Sequence, residues 1–326
     1  MRVMNTNVTI APGTSVVTAG AAVQISDMAG AVDLGALPHK FLQHAKSEGL
    51  AETPVPGVKM FRIDSRTPRE PCVYEPCIVV ILQGEKRGYF GTHAFQYGAA
   101  TYTVFSVLIP MEAEIISASS DKPFLGLALS IDPAAIAELQ MRIGDAPIPA
   151  PKAAGSIAVS PVDAAMSNAL NRLVDTFDHE PDAKVLGPMI VQEIFYRVLS
   201  EHRSIVLNAA ASRHSHYHRI CQLLRQIQDD CSVNYSTADM ANIANMSKTS
   251  LHESFKSITA MTPLQYVKSI RLHQARLLMM GEGLSASAAA YRVGYASASQ
   301  FSREFKRLFG LPPRVDMQRE GVEPPA

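Results

Sequence analysis

A repeat near the C-terminal end constrains this chain more than any other feature. STADMANIANMSKTSLHESFKSITAMTP, beginning at Ser236, recurs as SASAAAYRVGYASASQFSREFKRLFGLPP, beginning at Ser285, an offset of about fifty residues that marks a duplicated structural unit. Aligned on their second halves, Leu251 matches Phe301, Phe255 matches Phe305 and Lys256 matches Lys306. Each copy reads as two short helices joined by a tight turn. Ser236 and Asp239 have the spacing of a capping box, with the acid at the positive end of the helix dipole. Small Ala241 and Ala290 let paired helices approach, and Met240, Ile243, Leu251, Phe255 and their counterparts fill the wedge between them. The turn needs one residue near positive φ, supplied by Asn245 in the first copy and Gly294 in the second. Ser247 and Ser297 then cap the second helices, and Pro263 and Pro312 are expected to stop them.

Between the copies stands LQYVKSIRLHQARLLMM, one long helix whose Tyr266, Val267, Ile270, Leu272, Ala275, Leu277 and Leu278 face both neighbours. A rigid connector of this kind fixes the spacing of the two second helices, so that they can enter successive major grooves of a duplex. Their outward faces are polar: Thr249, Ser250, His252 and Glu253 in one, Ala298, Ser299, Gln300 and Arg303 in the other. Arg303 suits a bidentate contact to a guanine edge, worth roughly 1–3 kcal/mol of discrimination; the alternative is a phosphate or surface ion pair. Lys256, Lys306, Arg307 and Arg314 suit phosphate, where geometry is forgiving. The net charge of zero hides a segregation: residues 213–316 carry 13 Lys and Arg against 7 Asp and Glu, whereas residues 1–212 carry 16 against 21. A basic terminal segment is the footprint expected of a nucleic-acid partner.

The remaining text changes character twice. At 326 residues the chain is long enough for two cores. Residues 1–35, with a single arginine in the first thirty and no sustained period, are expected to be a weakly ordered extension and make a poor secretory leader. FLQHAKSEGL predicts a short helix. From Val73 to Asp132, runs such as CIVVILQG, RGYF, HAFQYG, TYTVFSVLIP, AEIISAS and FLGLALSID alternate with turn-formers at the spacing of a sandwich or small barrel. Helical periodicity follows in PAAIAELQMRIG, VDAAMSNALNRLVDTF and VLGPMIVQEIFYRVLSEH. In the last of these Met189, Ile190, Glu193, Ile194, Arg197 and Val198 divide into apolar and charged faces, for packing on the β domain or for a dimer interface. No run is apolar and long enough to span a bilayer. The four cysteines lack metal-like or disulfide spacing, which fits a reducing cytoplasm.

Inside the β segment, Cys72, Cys77, Glu75, Lys86 and Tyr97 are candidate effector-binding residues, with Arg69 and Arg87 nearby. A thiol close to a lysine could meet an electrophile, and the competing reading is a small buried hydrophobe. A metal-dependent barrel enzyme needs clustered histidines, yet this segment has only His93, so no metal and no cofactor are expected. No phosphate loop or nucleophile elbow occurs either, which excludes the commonest enzyme classes.

RLHQARLLM in the connecting helix and VGYASASQFSREFKRLFGLPP at the end resemble the AraC/XylS family of transcription regulators. VYEPCIVVILQGEKRGYFG with FQYGAATYTVFSVLIPMEAEIISASSDKPFLGLALSID is similar to the cupin-like N-terminal domain of one subgroup. Two departures are Ala260, where the family usually has glycine, and Glu253, where a basic group is common. The resemblance implies an α+β two-domain protein: an N-terminal cupin-like β-barrel with flanking helices over 36–205, serving as sensor or dimerisation module, a linker over 206–216, an all-α tandem helix-turn-helix domain over 217–316, and a tail over 317–326. It also implies duplex promoter DNA as partner, a small-molecule effector, a homodimer as a possible state, RNA polymerase if the chain activates transcription, and no enzymatic activity. The alternative is a small-molecule-binding or catalytic cupin with an accessory basic helical domain.

Overall fold

The computed structural model describes residues 32–91, 93–143, 156–201 and 216–319. The expected extension and linker fall almost wholly outside these residues. The chain is an α+β protein with an N-terminal part rich in antiparallel strands and a helical C-terminal part.

Among the described residues, ten strands form two sheets. The larger has the order β1 (Gly49–Glu52), β2 (Val58–Ile63), β9 (Phe124–Ser130), β4 (Cys77–Gln83), β7 (Thr101–Phe105), β10 (Ile157–Pro161); the smaller runs β3 (Thr67–Tyr74), β8 (Ile109–Ser117), β5 (Glu85–Phe90), β6 (His93–Gly98). All pairings are antiparallel, as in β4 against β9, where Val80 faces Leu127. The strand-length alternation explains the layering. In β4, Val79 and Ile81 join Phe61, Phe105 and Phe124 in the chamber between the sheets, while Ile78, Val80 and Leu82 point the other way into a second cluster. The first core is the barrel interior, and the second lies beneath a helical cover.

That cover consists of α1 (Leu37–His44), α2 (Pro133–Ile143), α3 (Ala164–Asp175) and α4 (Glu180–Glu201). Asp163 caps α3 by accepting from the Met166 amide at 2.6 Å. In α4 the inward stripe is Ile190, Ile194 and Val198, all buried, while Glu193 binds Arg172 and Arg197 on the outside. Val185, Leu186, Met189 and Tyr196 of α4 are left exposed.

Four strands depart from the sequence reading. β1, β2 and most of β3 lie before Val73, and β10 lies between PAAIAELQMRIG and VDAAMSNALNRLVDTF, where the sequence shows helical periodicity on either side. β3 holds Pro68 and Pro71 and forms the edge of its sheet, the position where missing amide donors cost no ladder bonds.

The C-terminal part runs α5 (His216–Asp229), α6 (Thr237–Ile243), α7 (Lys248–Thr259), α8 (Pro263–Glu282), α9 (Ala286–Arg292), α10 (Ala298–Phe309) and α11 (Pro313–Arg319). Its core is continuous with the barrel interior: Tyr217, Ile220, Leu224, Phe255 and Tyr266 belong to the same cluster as Tyr74 and Phe105. Polar bonds stitch this seam. The Tyr266 hydroxyl donates to the Leu108 carbonyl at 2.9 Å, Ser156 donates to the Ile258 carbonyl, Ser106 bonds Tyr217, and Arg319 pairs with Glu70.

Candidate functional site

The caps and turns of the two helix-turn-helix units are built as the spacing predicts, whereas Ile243, expected in the first wedge, is exposed. Ser236 and Asp239 form a reciprocal capping box at the start of α6, and Ser247 and Ser297 accept from Ser250 and Gln300 amides at the starts of α7 and α10. Both turns contain a left-handed residue, Asn245 at φ 48° and Gly294 at φ 87°. Gly294 is required twice over, because a Cβ there would come within 2.3 Å of the Ser232 carbonyl oxygen. Arg219 donates to the Asn245 carbonyl at 2.8 Å and steadies the first turn. Ala241, Ala290, Leu251, Phe255, Phe301 and Phe305 are all buried in the wedges.

What ends the second helices differs from the proline expectation. α7 closes on Ala260 at φ 57° and α10 on Gly310 at φ 80°, left-handed caps whose amides bond Lys256 and Lys306 carbonyls. Pro263 instead opens α8, its missing amide costing nothing at the first helical position.

Along α7, Thr249, His252, Glu253 and Lys256 are exposed and Ser250 is half-buried, its hydroxyl 3.5 Å from His216 Nδ1. Along α10, Ser299, Gln300, Arg303, Lys306 and Arg307 are exposed and Ala298 is half-buried. All eleven candidate residues thus lie on two helices of one scaffold, held apart by α8. Sequence reasoning missed Glu304. It accepts from Lys268 of α8 at 2.7 Å, from Tyr295 at 2.9 Å and from Gln300 at 3.2 Å. Partial burial alone would raise this carboxyl, but those hydrogen bonds outweigh it and hold the group below the usual range. The single acid of α10 is therefore answered within the scaffold, and the cations beside it define the outward charge.

The effector candidates divide. Cys72, Lys86 and Tyr97 meet inside the barrel, with Lys86 only 1% exposed. Lys86 Nζ donates to the Tyr74 hydroxyl at 3.3 Å and lies about 6 Å from the rings of Tyr74 and Phe124. Burial brings the Lys86 ammonium down to about 7 and pushes the Cys72 thiol up to about 12. The Tyr97 hydroxyl is buried and has no hydrogen-bond partner among the described residues. Glu75 is exposed in the turn after β3 and Cys77 is half-buried at the start of β4, so neither joins this group. Arg69 and Arg87 sit outside the chamber, paired with Glu112 and Glu114. Tyr74 and Phe124 complete the chamber. Strand alternation from Lys86 through Gly88 and Phe90 was the available signal that Lys86 points inward.

Comparison with known proteins places both halves. Residues 54–205 match the AraC-type transcriptional regulator N-terminus and residues 240–319 match a helix-turn-helix domain. The HTH-type transcriptional activator RhaS of Enterobacter sp. strain 638 is 32% identical over 96 residues, 29% of this chain and 34% of that protein. RhaS of Salmonella paratyphi A is 26% identical over 147 residues, 44% of this chain and 52% of its own length. The chain therefore spans only a third to a half of these curated relatives. Among solved structures, ToxT of Vibrio cholerae with an unsaturated fatty acid bound aligns over 80% of this chain and 93% of its own, at TM-score 0.54 and 18% identity. ToxT of Vibrio cholerae O395 bound to (E)-4-(8-methylnaphthalen-1-yl)but-3-enoic acid aligns over 80% and 97%, at TM-score 0.56 and 16% identity. At these identities the likeness is one of fold.

Proposed function

The chain belongs to the AraC/XylS family of transcription regulators, and from that premise we propose that it is a sequence-specific, promoter-binding regulator whose barrel receives a small-molecule effector. The observation that carries the DNA reading is the pair of polar, cation-bearing faces on α7 and α10, each capped, turned and backed by its own buried wedge. Arg303 and Gln300 are the base-reading candidates, and Lys256, Lys306 and Arg307 are the phosphate anchors.

Selection of bound duplexes from a random pool at physiological salt tests this. One enriched sequence, with affinity falling steeply as salt rises, is expected. Arg303→Ala is expected to relax preference at one base position, and Lys306→Ala to weaken all sites alike. Equal affinity for every duplex would overturn the reading.

For the effector, the support is a buried amine and a buried phenol, unpartnered among the described residues, facing one chamber. A ligand with a hydrogen-bond acceptor would answer both. ToxT, alike in fold, has been solved with small organic acids bound, which supports ligand sensing over the accessory-domain alternative. The exposed Val185, Leu186, Met189 and Tyr196 of α4 favour a second copy of the chain as partner; sedimentation of the wild type against Met189→Glu tests that state, a dimer being expected only for the former. RNA polymerase is a further partner if the chain, like the RhaS activators by name, activates.

A further inference from the structure

A groove of about 310 Å³ lies between the two helix-turn-helix units, where the connecting helix α8 packs against α10. Its apolar lining is Met261 at the α7–α8 corner, Leu272 of α8 and Leu308 of α10. The rest of the lining is polar, and it consists of donors in want of an acceptor. Gln265 Oε1 accepts from the Thr262 amide at 3.1 Å and from its hydroxyl at 3.0 Å, which leaves the Gln265 amide nitrogen as the end free to donate. Lys268 gives one of its three ammonium protons to Glu304 and keeps two. Ser269 is only 7% exposed, yet its hydroxyl donates to no described residue. Arg307 is exposed and forms no ion pair among the described residues. Glu304, the one carboxylate among the described residues lining the groove, is already answered by Lys268, Tyr295 and Gln300. The groove therefore carries a net positive charge and offers donors from two helices.

Resting on the promoter-binding reading above, we propose that this groove seats one phosphodiester of the duplex between the two major-groove segments, held by the charges of Lys268 and Arg307 and hydrogen-bonded by Gln265 and Ser269. Position supports it. Arg307 lies one turn beyond Arg303 on α10, so the reading face of that helix runs into the groove. Two reading helices in successive major grooves leave the intervening minor groove, with its two backbones, across the helix that connects them. Chemistry supports it too, because phosphate oxygens only accept, and an amide, a hydroxyl, an ammonium and a guanidinium all donate to them. A buried hydroxyl that bonds nothing in the protein is answered by such a ligand. At roughly 30 Å³ per water the groove holds about ten waters, ample for one phosphodiester and part of its hydration. α8 then does more than space the two units: by gripping the backbone at a fixed point between them, it sets the register in which α7 and α10 meet their bases.

Methylphosphonate scanning of the duplex enriched in the selection above, one neutral linkage at a time, reads the contact on the unaltered full chain. A loss of affinity of roughly tenfold, the scale of one hydrogen bond to a charged group, is expected at a linkage between the two base-reading segments. Lys268→Gln, which keeps a donor for Glu304, should make that linkage silent, reduce the salt slope by about 1 and leave the base preference as it was. Sequence-specific binding with no sensitive linkage between the segments overturns the proposal and leaves the promoter-binding reading standing, whereas equal affinity for every duplex overturns both. A linkage that stays sensitive in both Lys268→Gln and Arg307→Gln also overturns it, by assigning the contact to other residues. Calorimetric titration with inorganic phosphate separates the other source of the same chemistry: saturable binding without DNA that Lys268→Gln abolishes would make the groove a site for a free phosphate and overturn the duplex assignment.

Discussion

Lys86 is a primary amine held among aromatic rings, and its setting carries a pH signature. Its folded value of about 7 lies below the 10.5 of an ordinary lysine, so between those limits the unfolded chain binds the extra proton. Stability therefore rises as pH climbs through that window and is lost as pH falls toward 7. Lys86→Met, which keeps the volume and removes the charge, is expected to flatten this slope and raise the melting temperature most near neutrality, as thermal melts across the window would show. Ala260 carries a different burden. A non-glycine residue at left-handed φ costs roughly 1–2 kcal/mol, and the departure from glycine at this position falls where the backbone demands it. Ala260→Gly is expected to raise the melting temperature by about 2–4 °C; an unchanged or lower value would show that the Ala260 methyl, packed toward Gly91, is worth more than the strain.

At the scale of elements, α10 is better prepared than α7. Glu304 can only accept, so the amide nitrogen of Gln300 must face it and the amide oxygen is turned outward. Within the proposed function, Gln300 then reads a donor such as the adenine or cytosine amino group rather than gripping adenine with both ends. Glu304→Gln frees the amide to turn and is expected to broaden base preference at that position in the same selection experiment. An unaltered preference would mean that Gln300 does not read a base. The helical elements were legible because caps, turn residues and wedge positions recur at fixed offsets, and the strands from Cys77 to Ser130 because β-branched and aromatic runs alternate with turns. β3 was not, since TPREPCVY has the composition of a loop and becomes a strand only by pairing with β8. The inward aim of Lys86 was open to strand alternation, but the core shared by barrel and helices was not, because Tyr74 and Phe105 meet Tyr217 and Tyr266 from segments more than a hundred residues apart that only tertiary packing unites.

At the scale of the molecule, the two parts share one apolar cluster. Heating is therefore expected to give one cooperative transition by calorimetry, with two resolved transitions the contrary result. Tyr266→Phe removes the donor that answers the buried Leu108 carbonyl. A loss of about 1–3 kcal/mol is expected, seen as faster amide exchange around residues 106–109.

This shared core limits how far the halves behave as exchangeable parts. A chimera that joins this barrel to another relative's helical half would set foreign side chains against Ser106, Leu108 and Ser156. Transplanting α5 and the α7–α8 corner together with the barrel is expected to preserve solubility where a cut at the linker does not. In lineage terms, the loop between β7 and β8 and the face of α5 must change in step, although about a third of the chain lies between Ser106 and Tyr217, which meet there.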